Sequence, residues 1–202
     1  MLHIVPISIM QSLKFSEQNM KKILLISGSA RNGNCKTILE NIQKNFWLEY
    51  STDLIYIRDY NIKECYGCNK CAEDNHLCAS DDRMDEILDK LNDADIVVLA
   101  TPNYFYNVSG LTKLFLDRTY PFYSTKALKG KKFVYVYVGD GDTATTKKYL
   151  DNALYGFTVC HELSVIGSYA YQASDIGEFA DLSQAKATTD TIVNAIRKTI
   201  EN

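Results

Sequence analysis

Histidine, proline and tryptophan are scarce in this chain, with three, three and one among 202 residues. The few histidines are scattered, no Ser-His-Asp pattern or carboxylate pair accompanies them, and hydrolytic acid–base chemistry has no candidates. So few prolines leave no linker, and without repeats or low-complexity stretches the chain reads as one folding unit from Lys21 to Asn202. Long hydrophobic runs are missing as well. The segment Ile96 to Ala100 is far shorter than the roughly 18 to 20 apolar residues of a membrane-spanning helix. Nor is there an excess of positive charge: 22 basic against 25 acidic residues give a net charge of −3, which creates no field for nucleic acid or an anionic membrane. A small molecule or another protein is the expected partner. The opening residues carry an apolar patch, Ile4 to Met10, without the basic start or small-residue cleavage site of a secretion signal. Residues 1–20 are accordingly expected to form a poorly ordered extension, with Met20, just before the first strand, a candidate alternative start. A cytoplasmic location with reduced thiols is the expectation.

What is present is an ordinary globular composition, 46% hydrophobic and 23% charged, organised as apolar strand-like runs alternating with helical patterns. Strands are expected at Ile23 to Ser27, Asp53 to Ile57, Asp95 to Ala100, Phe133 to Val138 and Leu163 to Gly167. Between them, helical spacing joins Ile38, Leu39, Ile42 and Phe46, then Met84, Ile87, Leu88 and Leu91. Further helices are expected over Val108 to Tyr120, Thr145 to Val159 and Ala180 to Ile200. Continuous apolar strands separated by helices imply a parallel sheet covered on both faces. Five such strands suit an α/β, three-layer flavodoxin-like fold of order 2-1-3-4-5. A ligand in that architecture sits beyond the carboxyl ends of the strands, so the loops after strands one, three and four should share a pocket.

The first of those loops runs from Gly28 to Thr37 and enters a helix, where free backbone N–H groups and the helix dipole favour an anion. A Walker loop would need Lys-Ser/Thr where Asn34-Cys35 stand, and a dinucleotide fingerprint would need glycine at Ala30, so both are excluded. Ser29, Gly33, Asn34 and Arg31 remain as phosphate-binding candidates, although glycine, serine and asparagine also suit a plain turn and helix cap. FMN, with one terminal phosphate, fits such a loop. The loop after strand three, Pro102-Asn103-Tyr104-Phe105-Tyr106-Asn107, offers aromatic rings and main-chain groups to an isoalloxazine, unless those rings serve a core or a dimer interface. After strand four, Gly139-Asp140-Gly141 permits close backbone approach, and Asp140 with Asp142 reads better as turn and cap than as a metal site.

Four of the six cysteines, Cys65, Cys68, Cys71 and Cys78, lie within one short stretch. Two-residue gaps let three thiolates converge on one compact core and the longer gap returns the fourth, a spacing akin to [4Fe–4S] ligation. Structural zinc, whose ligands come as separated pairs, fits less well, with His76 as a substitute ligand. Together, Gly28-Ser29-x-Arg31-x-Gly33-Asn34-Cys35, the cysteine segment with Asp81-Asp82-x-Met84, Thr101-Pro102-x-Tyr104 and Lys113-x-Phe115-x-Asp117-Arg118 resemble the NADPH-dependent FMN reductase superfamily. They are most similar to its iron–sulfur flavoprotein branch, over roughly Lys21 to Leu163. The resemblance implies FMN held by the loops beginning at Ser29, Pro102 and Gly139, a [4Fe–4S] cluster on the four cysteines, and a homodimer or homotetramer. It also implies that no side chain is catalytic, the chemistry being at flavin N5, with NAD(P)H or a ferredoxin-like protein as donor and a small molecule or protein as acceptor. Cys35, where most of that superfamily has Ser or Thr, supports the same branch and is either a thiol near the phosphate or an inert small residue. Lys113, Asp117 and Arg118 are read as structural. Alternatives are a non-catalytic flavodoxin-type electron carrier, or a flavoprotein whose cysteine segment holds zinc or nothing.

Overall fold

A computed structural model describes residues 20–73, 78, 80–180 and 182–201. The extension expected before Met20, and His76, lie outside the described residues. Each strand expected from the sequence is present: β1 (Lys22–Ser27), β2 (Ser51–Tyr56), β3 (Ile96–Pro102), β4 (Lys132–Gly139) and β5 (Ser164–Gln172). They form one parallel sheet of order β2-β1-β3-β4-β5. The helices are α1 (Asn34–Phe46), α2 (Lys70–Glu73), α3 (Met84–Asp93), α4 (Gly110–Asp117), α5 (Pro121–Thr125), α6 (Thr143–Cys160) and α7 (Leu182–Glu201). Among the described residues, no helix is long and apolar enough to cross a membrane.

The alternation of side chains along a strand explains why the apolar runs are continuous. Leu24, Ile26, Val97, Leu99, Phe133, Tyr135 and Tyr137 point to one face, against α3, α4 and α6. Ile23, Leu25, Val98, Ala100, Val134, Val136 and Val138 point to the other, against α1 and α7. Burying both faces contributes about 1.5–3 kcal/mol for each large aliphatic side chain, and it fixes the strand register.

Two elements differ from their expected bounds. The helix expected from Val108 to Tyr120 stops at Asp117, because Arg118 and Thr119 turn inward as buried polar residues and Pro121 starts a separate short helix. The fifth strand continues beyond Gly167 to Gln172, since Ser168 to Gln172 pair with Tyr135 to Gly139 of β4 after a register shift near Val134. That extension carries the chain to the carboxyl rim of the sheet, and the loop after β5 thereby joins the site.

Candidate functional site

The turn leaving β1 is bound to the turn leaving β3 by a buried hydroxyl network. Gly28 N donates to Ala100 O at 2.8 Å, while Ser109 Oγ donates to Gly28 O. Thr112 Oγ1 donates to Thr101 Oγ1 at 2.9 Å and lies 3.0 Å from Ser109 Oγ. A Cβ at Gly28 would stand 1.8 Å from Thr112 Oγ1, so the close approach requires glycine. Beyond it, Ser29 Oγ accepts from Arg31 N at 3.1 Å and curls the loop toward α1. Helix α1 begins without a side-chain cap and without an acidic residue in its first turn, which leaves its N-terminal amides to attract an anion.

Asn34 ties that helix start to the loop after β5: its Nδ2 donates to Asp175 O at 2.9 Å and its Oδ1 accepts from Phe179 N at 3.2 Å. Cys35 is buried in the α1 side of the core, and burial pushes its thiol up to about 12. Such a thiol stays protonated, while Cys35 also borders the cleft that these loops enclose, so both of its expected roles remain proposals.

After β3, Asn103 N donates to Val138 O at 2.7 Å and Asn103 Nδ2 donates to Thr146 Oγ1 at 3.1 Å. Its Oδ1 is buried and has no hydrogen-bond partner among the described residues. Tyr104 and Asn107 exchange two backbone hydrogen bonds of 3.0 Å, closing a two-residue hairpin turn. Its central residues, Phe105 and Tyr106, have φ of 53° and 55°. Such turns ordinarily take Asn-Gly, and aromatic residues there carry backbone strain. Tyr106 rests on Tyr149 with ring centroids 5.3 Å apart, whereas Phe105 is wholly exposed.

After β4, a Cβ on Gly139 would lie 2.8 Å from Asn103 Cβ. Asp140 Oδ1 accepts from Ser174 Oγ, and Ala173 N donates to Gly139 O at 2.9 Å. Asp142 caps α6 by accepting from Thr145 N at 3.0 Å, the cap expected of it.

These loops enclose a cleft of about 190 Å³. Ser29, Arg31, Gly33, Asn34 and Cys35 line it from the first loop, Pro102, Asn103 and Tyr104 from the second, Gly139 and Asp140 from the third. Phe105, Tyr106, Asn107 and Gly141, also expected at the site, do not line it. Ala173, Ser174, Asp175 and Ile176 line it instead, and the sequence reading missed them because it ended the fifth strand too early. A larger hollow, about 700 Å³ beside Met20, Trp47 and Tyr50, sits at the opposite ends of β1 and β2 and shares no residue with the cleft.

The cysteines form a second centre. Cys65, Cys68, Cys71 and Cys78 all line one cavity of about 300 Å³, together with Tyr66, Asp117 and Tyr120. Cys65 and Cys68 are exposed, Cys78 half-buried and Cys71 buried. The Cys71 thiol is raised first by burial, then by the negative charge of Cys78, Cys65 and Cys68. Left-handed turns at Gly67 and Asn69, with φ of 65° and 59°, fold the strap back between successive cysteines. Among the described residues, no three His, Cys, Asp or Glu side chains converge tightly enough to hold a single metal ion.

The strap is closed at its base by Arg118, whose side chain is fully buried. Its Nη1 donates to Lys63 O at 2.6 Å and to Asp82 Oδ2 at 2.7 Å, and its Nη2 donates to Asp82 Oδ1 at 2.9 Å. Asp82 also accepts from Lys63 N at 2.8 Å and from Met84 N at 3.0 Å. Despite the burial, which acts the other way, these bonds hold the Asp82 carboxyl at about 2. The structural role expected for Arg118 is thus located: it joins the residues on either side of the cysteines.

The NADPH-dependent FMN reductase family model matches residues 21–173. An iron–sulfur flavoprotein of Methanocaldococcus jannaschii is 34% identical over 151 residues, 72% of this chain and 76% of that protein. One of Methanosarcina thermophila is 30% identical over 176 residues, 85% of this chain and 86% of its own. One of Archaeoglobus fulgidus is 37% identical over 99 residues, and the chain spans 48% of that relative's length. Among solved structures, the apo form of an NADH:FMN oxidoreductase superposes with a TM-score of 0.61 at 22% identity, covering 88% of this chain and 87% of that one. That likeness concerns the fold. The family model and the archaeal relatives decide the family: this chain is an oxidoreductase of the FMN-binding, NADPH-dependent FMN reductase family, on its iron–sulfur flavoprotein branch.

Proposed function

We propose that the cleft at the carboxyl ends of β1, β3, β4 and β5 holds FMN, and that the chain passes electrons between NAD(P)H or a ferredoxin-like donor and a small-molecule or protein acceptor. The buried, unpartnered Asn103 Oδ1 carries the reading: an acceptor without a donor inside a built cleft suits a ligand N–H. The uncapped start of α1 and the Arg31 side chain suit the phosphate at the other end. Gly139 keeps the floor open where a side chain would press on Asn103. When bound, FMN supplies the redox chemistry, and the protein contributes orientation and electrostatics. In this reading Ser29, Arg31, Gly33 and Asn34 serve the phosphate end, while Pro102, Asn103, Tyr104, Gly139 and Asp140 serve the ring.

The four thiols fit a [4Fe–4S] cluster in their donor chemistry, and among the described residues they do not converge as a single-ion site. Exposed Tyr149, Tyr155 and Val159 on α6 support the self-association implied by the family resemblance.

The test is one absorption spectrum of anaerobically purified protein with iron, zinc and flavin assays on the same sample. Flavin bands over a broad iron–sulfur envelope are expected, with Cys68→Ala losing the envelope and keeping FMN. Colourless protein that takes up no FMN refutes the flavin reading. Zinc without iron refutes the cluster. Steady-state NAD(P)H consumption with a quinone or nitroaromatic acceptor is the expected turnover, and a flavin reducible only by a protein donor reduces the function to electron carriage.

A further inference from the structure

Arg118 has more hydrogen-bonding capacity than its structural contacts use. Both terminal nitrogens are engaged, at Lys63 O and at the Asp82 carboxylate, yet Nε is buried and has no partner among the described residues. A buried guanidinium N–H without an acceptor is costly and calls for one. Cys78, the fourth thiol of the cavity, is one of the negative groups whose field acts on this guanidinium, with no hydrogen bond from Nε to it. Asp82 neutralises the charge of Arg118, so what remains for the cavity is the directed, unpartnered Nε–H.

We infer that Arg118 is a positioning residue for the cysteine centre: it fixes both ends of the strap and offers Nε–H to the sulfur of Cys78. The inference rests on the cluster reading above. Hydrogen bonds to cluster sulfurs favour the more negative, reduced form and so raise the reduction potential. A planar fork is needed, because a lysine ammonium in the same place cannot hold Lys63 O and both Asp82 oxygens while pointing a further N–H at Cys78.

The experiment compares wild type, R118K and R118Q, purified anaerobically with FMN bound. It reads iron and acid-labile sulfide per chain, the cluster potential by spectroscopically monitored redox titration, and the half-life of the iron–sulfur absorbance in a chelator. We expect R118Q to shift the potential to more negative values and to shorten the half-life at least tenfold, with R118K between it and wild type. FMN content equal to wild type confirms that the fold is intact. If R118Q fails to retain FMN, R118K carries the comparison, with the same direction of shift expected. Unchanged potential and half-life in a folded, iron-loaded variant overturn the inference and leave the cluster reading standing. Wild-type protein without iron and sulfide overturns both.

Discussion

The cleft at the rim of the sheet and the cysteine strap are neighbours in one fold, but they are held in different ways. The cleft is made of backbone: Gly28 on Ala100, Asn103 on Val138 and Ala173 on Gly139 are main-chain hydrogen bonds between turns whose strands are already in register. The strap is made of side chains, and its two ends meet at a single buried arginine. A site built from the sheet inherits the stability of the core. A site hung from one ion pair depends on that pair, and such a pair is more expensive to break than it was profitable to form.

The largest expected effect lies in the strap. Asp82→Ala leaves Arg118 buried and unpaired and should cost about 3–5 kcal/mol in urea denaturation, with no change expected if the strap is held elsewhere. Next comes a pH effect beside the strap, at His161. Thr119 Oγ1 gives its proton to Leu116 O, so His161 Nε2 is the donor across their 3.1 Å contact. Burial, and then the Lys126 charge, hold the His161 pKa down at about 4 against an ordinary value of 6.5. A depressed folded-state value means that the unfolded chain binds the proton first, so stability is full above pH 6.5 and falls as pH drops toward 4, by about 3 kcal/mol. His161→Gln should flatten the stability curve in that window, while the contribution of Asp82 is lost only from about pH 4 toward 2.

The cleft should respond through its ligand and not through its fold. Gly139→Ala is expected to weaken FMN binding by at least about tenfold, or 1.4 kcal/mol, in a fluorescence titration, by pushing on Asn103. Smallest, and opposite in sign, is the hairpin tip. Phe105→Gly removes an aromatic side chain from a left-handed position and should raise stability by about 1 kcal/mol, seen as a melting point about 2–4 °C higher, with FMN affinity unchanged.

Much of the cleft was legible in the sequence because its causes are local. Gly28 and Gly139 stand where apolar strands end, Gly33 precedes the first helix, and period-two burial on both faces leaves the continuous runs from which the sheet order was read. The hairpin at Tyr104 to Asn107 was less legible: its exposed aromatics suggest a stacking surface, but the backbone of Phe105 and Tyr106 takes a positive φ that residue type does not announce. The β5 loop was missed because Ser168 to Gln172 alternate small and aromatic residues at a sheet edge and lack the apolar run that marked the other strands. Arg118 was recognised as structural, but its partners lie 36 and 55 residues away, and only the folded chain brings Asp82 and Lys63 to it.

Titration of flavin-free wild type, Gly139→Ala and Cys68→Ala with FMN, followed by flavin fluorescence, tests the division between the two regions most directly. Wild type and Cys68→Ala should bind one FMN per chain with equal affinity, and Gly139→Ala should bind at least tenfold more weakly. No uptake by wild type, or equal weakening by both substitutions, would contradict a cleft that the sheet builds independently of the cysteines.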